Sequence, residues 1–327
     1  MKNLTSREVC FRIKKMTLQQ IYNLAIQMGI KSDLRGKAEA QKVLKQAKEK
    51  YQKLDKNKKQ EFDLEKLKNP YSDTRVLFDN KKPVKKILTG VDIGTGEMLL
   101  AEKLDCDAVI SHHPLGLALA DLSDVMHLQA NVLAQYGVPI NIAEGVLKER
   151  IEEVSRGIAP INHNRTVDSA KLLNINLICV HTPCDNLAAD FLDKYIKAKK
   201  TETVGQIVEA LKEIPEHKEA VKLKAGPRVF VGSEESSAGR IALTEITGGT
   251  EGAKEIYEKM AQAGLGTVIG MHLAEEHRQE AQKAHINVVI AGHMSSDSLG
   301  INLFLDELEK SGLEVITCSG IIRVRRK

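Results

Sequence analysis

Four times along this chain an apolar run stops at a histidine: AVISHH at Ala108–His113, NLICVH at Asn176–His181, GTVIGMH at Gly266–His272 and NVVIAGH at Asn287–His293. Short runs rich in valine and isoleucine, without polar alternation, read as strands buried on both faces. Helical segments separate them, which is α/β grammar with a parallel sheet. In open α/β sheets ligands collect where strands deliver their C-terminal ends, and neutral imidazole is the commonest protein ligand for zinc, iron, nickel and copper. The recurrence therefore points to a metal site. Two of the runs add a carboxylate four residues after the histidine, Asp185 after His181 and Asp297 after His293. Histidine plus carboxylate is the donor set of hydrolytic metals.

Ser111-His112-His113-Pro114 is the sharpest of these motifs. Adjacent side chains in a strand point to opposite faces, so both histidines serve one cleft only if the strand has ended before them. Pro114 favours that ending, because it has no N–H for the ladder and restricts its predecessor. In His181-Thr-Pro-Cys-Asp185, the aspartate stands just before a helical run and has an alternative role as a helix cap. Cys184 has only His181 as a basic neighbour and stays unassigned. In His293-Met-Ser-Ser-Asp297 a helix starting near Ser295 leaves His293 at the strand end and Asp297 in the first turn, where it also complements the helix dipole. Gly248-Gly249-Thr250 is either a tight turn or a phosphate cradle built from free N–H groups.

Composition sets limits around this site. At 327 residues and 42% hydrophobic content the chain suits two or three domains with sizeable cores. A net charge of +4 carries no nucleic-acid signature, so nucleic acid is not an expected partner. No stretch approaches the roughly 18 apolar residues of a membrane span, and MKNLTSREVCFRIKK contains no apolar block like that of a signal peptide, so the expected location is cytoplasmic. Cys10, Cys106, Cys179, Cys184 and Cys318 are scattered and read as reduced thiols. Three regions follow: residues 1–80, a helical basic N-terminal extension; 81–220, a first α/β lobe with a helical insertion; and 221–327, a second α/β lobe completing the metal site. In the first, Val43, Leu44, Ala47, Tyr51 and Leu54 recur at helical spacing among many lysines and read as the packed stripe of a solvated helix.

The motifs SHHPL at Ser111–Leu115, HTPCD at His181–Asp185 and GHMSSD at Gly292–Asp297, with Asp92 after the first strand, occur in an order that resembles the NGG-interacting factor family. These are dinuclear-metal proteins often labelled GTP cyclohydrolase I type two. The resemblance runs from about Val84 to the C-terminus. It implies a two-lobed α/β fold with a metal cleft between lobes and a toroidal homohexamer. It also implies that His112, His113, Asp185, His293 and Asp297 hold two divalent metals, with His181 close by. Where the family's last ligand is typically glutamate, this chain has Asp297, one methylene shorter. Where many members carry a Thr-Gly-acid element, it reads Gly270-Met271-His272, so His272 is either a replacement ligand or a histidine behind the ligands.

The expected function is a dinuclear metal-dependent hydrolase acting on a nucleotide, phosphoester or purine-ring substrate. Zinc leads manganese and iron as the metal. His181 is the expected proton carrier, with Asp92 orienting a ligand histidine. The alternative is a non-catalytic, metal-stabilised ring-shaped assembly or regulatory protein.

Overall fold

The computed structural model describes residues 15–326; Cys10 and the start of the N-terminal extension lie outside the described residues. The chain opens with helices α1 (Leu18–Lys31), α2 (Lys37–Lys53) and α3 (Lys56–Glu61), then a 3-10 turn (Leu64–Leu67) and strand β1 (Arg75–Phe78). Strand β2 (Lys86–Gly90), helix α4 (Thr95–Lys103) and strand β3 (Ala108–Ser111) form the first parallel unit. Five helices follow: α5 (Gly116–Ala120), α6 (Leu122–Val125), α7 (His127–Gln135), α8 (Ile140–Ile158) and α9 (Arg165–Leu173). Then come strand β4 (Asn176–Cys179) and helices α10 (Thr182–Lys199), α11 (Val204–Lys212) and α12 (Pro215–Lys222). The second half alternates β5 (Arg228–Val231), β6 (Arg240–Glu245), α13 (Ile256–Gln262), β7 (Leu265–Gly270), α14 (Glu275–Lys283), β8 (Asn287–Ile290), α15 (His293–Lys310) and β9 (Glu314–Thr317). No described helix is long and apolar enough to cross a membrane.

The strands form two sheets, ordered β1-β4-β3-β2-β9 and β5-β8-β7-β6. Each is parallel except for one antiparallel edge strand, β1 in the first and β5 in the second. Parallel strands need buried faces, and the near-continuous burial of Ala108–Ser111 and Asn176–Cys179 meets that need. All four strands that end on histidine are parallel members in close register. Ser111 pairs with Cys179, and Gly270 with Ile290, so each sheet delivers two histidines at one edge.

Helices α10 and α15 form the seam between the sheets. Ile301, Phe304, Leu305 and Leu308 of α15 pack into the core of the first sheet with Ile87, Ile110 and Ile178. Ala188, Leu192 and Ile196 of α10 pack into the core of the second with Leu243, Ile269 and Val289. Fully burying each such leucine, isoleucine or phenylalanine contributes about 1.5–3 kcal/mol. At Gly300 the two helices touch so closely that an added Cβ would lie 2.1 Å from the Cys184 carbonyl oxygen.

Two placements differ from a reading in chain order. Helix α1, capped by Thr17 and Gln20, is embedded, with Leu18, Ile21, Tyr22 and Ala25 in the core of the first sheet. Helices α2 and α3 have the expected solvated character: Ala40 is the one buried residue of α2 and α3 has none, while Tyr51 packs on Phe62 at 5.1 Å between ring centroids. Strand β9, last in the chain, pairs with β2 in the first sheet rather than joining the second. Helix α15 spans the distance between the sheets and returns the chain to the first.

Candidate metal centre

Strand β3 ends at Ser111, so His112 and His113 both lie beyond the alternation that would have separated them. His112 is wholly buried and its Nδ1 stands 3.1 Å from the Val180 carbonyl. A carbonyl accepts only, so Nδ1 carries the proton and the Nε2 lone pair faces inward. His113 is held the same way: its Nδ1 donates to Asp92 Oδ1 at 2.7 Å. His181 makes a third such pair, donating from Nδ1 to Asp73 Oδ2 at 2.8 Å. In each case the outer partner fixes the ring and leaves Nε2 for the centre.

The acids come from helix starts. Gly292, at φ +103°, turns the chain from β8 into α15, which begins at His293 rather than near Ser295. His293 and Asp297 are four residues apart in one helix, hence on one face, and the same spacing joins His181 to Asp185 at the start of α10. Asp185 does not cap its helix; the residue at the cap position is His181, which makes no side-chain cap bond.

His112, His113, His181, Asp185, His293 and Asp297 converge in three overlapping groups, each able to hold a metal ion: His112–His113–His181, His113–His293–Asp297 and His112–Asp185–Asp297. His112 Nε2 lies 3.3 Å from Asp185 Oδ1 and 3.6 Å from Asp297 Oδ1. His113 Nε2 and His293 Nε2 lie 3.4 and 3.5 Å from Asp297 Oδ2, and His181 Nε2 lies 3.7 Å from Asp185 Oδ2. His112 Nε2, Asp185 Oδ1 and Asp297 Oδ2 are buried and have no hydrogen-bond partner. Orphaned buried groups of this kind are costly unless something unseen satisfies them. Two donors each about 2.1 Å from one ion at a tetrahedral angle stand about 3.4 Å apart. The donors are thus spaced as ligands around ions, and the residues fit a metal.

Electrostatics point the same way. Burial would raise the Asp297 carboxyl, but the surrounding histidines His112, His113 and His293 hold it far below the usual carboxylate range. Burial lowers His112, and the Asp297 charge overrides it and lifts the imidazole well above its ordinary value. His293 is pushed down by burial and by its histidine neighbours. The cluster is open on one side: the side chains of His113 and His293 are 26% and 40% exposed, whereas those of Asp185 and Asp297 are 5% and 1%. A cavity at the cluster is lined by His181, Asp185, His272, His293, Asp297, Glu245 and the loop at Gly249-Thr250.

His272 stands beside the cluster with its ring 5.3 Å from that of His293, and its Nδ1 is 3.8 Å from Glu251 Oε1. It belongs to none of the three ligand groups. Cys184 is buried, which pushes its thiol up and away from the reactive thiolate. Two residues beside the cluster were not visible in the sequence. Asp73 is fully buried and also accepts from the Thr182 hydroxyl at 2.6 Å, yet it sits in a segment, Tyr71-Ser72-Asp73-Thr74, with no periodic signal. Glu245, at the end of β6, presents a carboxyl that burial raises above its ordinary value.

Two α/β sheets whose strand ends and helix starts converge on a half-open histidine–aspartate cluster define a two-lobed α/β architecture with a site able to hold metal. The chain belongs to the Duf34/NIF3 (NGG1p interacting factor 3) family, whose model matches residues 156–321, just over half of its length. In fold it is similar to the NIF3 superfamily protein from Sphaerobacter thermophilus, at a TM-score of 0.75 and 23% identity over 93% of this chain and 98% of that one. That coverage takes in more than the chain from Val84 onward, so the likeness extends into the N-terminal helices. It is also similar to reduced HcgD from Methanocaldococcus jannaschii, at a TM-score of 0.50 and 17% identity over 75% and 87% of the two chains. No curated protein sequence matches.

Proposed function

We propose that the protein is a dinuclear metal-dependent hydrolase acting on a nucleotide, phosphoester or purine-ring substrate. The observation that carries this reading is the set of inward donors spaced 3.3–3.7 Å apart, with three of their atoms orphaned. Asp297 faces two ligand groups at once, Oδ1 toward His112 and Oδ2 toward His113 and His293, as a carboxylate bridging two ions would. Zinc leads manganese and iron because the donors are mixed imidazole and carboxylate. Bound here, two divalent ions would supply Lewis acidity toward water and substrate near neutral pH.

The chain's own residues would do the rest. Asp73 fixes His181 with Nδ1 protonated, so that Nε2 is the atom that takes up and returns a proton. Asp92 does the same positioning for His113 from the solvent side. The open side at His113 and His293 supports a catalytic role over a structural one, since structural metals are enclosed by protein.

Elemental analysis of the purified chain, paired with a turnover screen against nucleotides and generic phosphoesters, tests the reading. About two ions per chain and turnover lost in His112→Ala and His293→Ala are expected. Metal without turnover on any substrate would replace the hydrolase by the metal-stabilised assembly. Sizing in solution reads the homohexamer that the family resemblance implies.

A further inference from the structure

The loop Thr247–Glu251 follows β6 and forms one wall of the cavity at the metal cluster. Thr247 and Gly248 are buried and Gly249, Thr250 and Glu251 are half-buried, and no backbone N–H from Thr247 to Glu251 donates to any acceptor among the described residues. Buried N–H groups without partners are rare, and the two at Thr247 and Gly248, continued by three half-buried ones, demand an explanation. The carbonyls of the same loop are engaged. Gln129 of α7, itself buried, donates its side-chain amide to the Gly248 carbonyl at 2.8 Å and the Thr250 carbonyl at 2.6 Å.

Direction follows from this clamp. A trans peptide points its C=O and N–H in opposite senses, and no peptide bond among the described residues is cis. With the Gly248 and Thr250 carbonyls turned toward Gln129, the Gly249 and Glu251 N–H groups point away from it. Gly248 and Gly249 both have positive φ, and a Cβ on them would meet Gln129 at 2.7 Å and Val125 at 2.9 Å, so the loop's back lies against α6 and α7. Its front is the cavity wall. Thr247 anchors the loop's start by donating to Asn186 Oδ1 at 2.7 Å, and the Thr250 side chain lines the cavity with no hydrogen-bond partner for its hydroxyl among the described residues. Successive unpartnered N–H groups in a turn at a cavity wall form a concavity suited to an anion.

We propose that the Thr247–Glu251 loop is a phosphate-binding nest, and that the substrate of the centre presents a phosphate group to it. The proposal deepens the hydrolase reading and rests on it for the word substrate: Asp185, Asp297 and Glu245 line the same cavity, so an anion fits beside them where cations occupy the cluster. It narrows the class to phosphorylated small molecules and sets purine-ring substrates without phosphate aside. The tight-turn alternative accounts for the glycines but leaves the five N–H groups unused.

The test uses full-length protein loaded with zinc and labelled with 15N- and 13C-carbonyl glycine. Gly248-Gly249 is the sole Gly-Gly pair in the chain, so the Gly249 amide gives one identifiable resonance. Inorganic phosphate is the probe. The Gly249 amide is expected to shift and saturate. Gln129→Ala, which frees the loop without touching a donor of the metal cluster, is expected to weaken phosphate binding about tenfold or more at unchanged zinc content. An unmoved Gly249 amide, or wild-type phosphate affinity in Gln129→Ala, overturns the proposal. Elemental analysis of the same sample judges the metal reading separately. If the chain takes up no zinc, that reading falls, and the Gly249 titration of the metal-free chain decides the nest by the same criterion.

Discussion

At the residue scale the candidate centre is built from pairs in which one side chain would meet a metal and another holds it in place. Asp297 spans two ligand groups, so Asp297→Ala is expected to lower metal content and turnover together, and Asp297→Glu, the family's usual residue, to keep both ions. Elemental analysis of the two variants side by side checks this. Asp73 and His181 separate differently. His181→Ala should cut turnover about 10²–10⁴-fold with metal near wild type, the outcome for a proton-transfer group; metal lost in step with turnover would make His181 a ligand instead. Asp73→Asn keeps the shape and loses the charge that orients His181, and about 10–100-fold is expected. A wild-type rate in Asp73→Asn would remove Asp73 from the site. His112, His113, Asp185, His293 and Asp297 were readable because each closes a strand or opens a helix. Asp73 was not, because its partner lies 108 residues away and only the fold brings them together.

At the scale of elements, the seam between α10 and α15 controls the acids, since Asp185 and Asp297 sit at the starts of these helices. Gly300→Ala would drive a methyl into the Cys184 carbonyl, costing about 1–3 kcal/mol and loosening the metal site with it. Gly145→Ala in α8 meets nothing within 4 Å and should instead stabilise by about 0.5–1 kcal/mol. Urea unfolding of the two variants reads both signs. Helix α12 carries a pH signal. His217 is buried, with Nδ1 donating to the Leu211 carbonyl at 3.2 Å, and burial pushes its pKa down to about 4. Its folded pKa lies below its unfolded value, so the stability it carries is intact above about pH 6.5 and is lost as pH falls toward 4. Between pH 7 and 5 this amounts to about 2 kcal/mol. His217→Gln should remove that part of the pH slope of unfolding; an unchanged slope would assign it to other groups. Strand and helix identities were legible from apolar runs and spacing. The start of α15 at His293 was not, because a glycine with positive φ moved the boundary two residues earlier.

At the scale of the whole molecule, the cluster concentrates buried acids and histidines that only cations can satisfy together. Chelation should therefore lower the melting temperature, by the equivalent of about 2.7 kcal/mol for each ion held at 100 times its dissociation constant. Calorimetry with and without chelator, followed by re-addition of zinc, checks this; an unchanged melting temperature would mean that the cluster is satisfied without metal. The two-sheet plan could be read from the sequence, but not the return of β9 to the first sheet, since nothing local in Glu314–Thr317 distinguishes one parallel sheet from another. That return also ties the ends of the molecule together. Past β9 the terminal segment is fastened by Arg323 to Asp306 at 2.6 Å and by Arg326 to the buried Glu216 at 2.6 Å.

The stretch from His293 to Thr317 thus supplies both the helix bearing Asp297 and a strand of the first sheet. While it is still being made, the earlier histidines exist without the carboxylate that joins them. A chain that has not yet grown past α15 would lack the acid shared by two of the three donor groups, so the full donor set would form only once both sheets are in place.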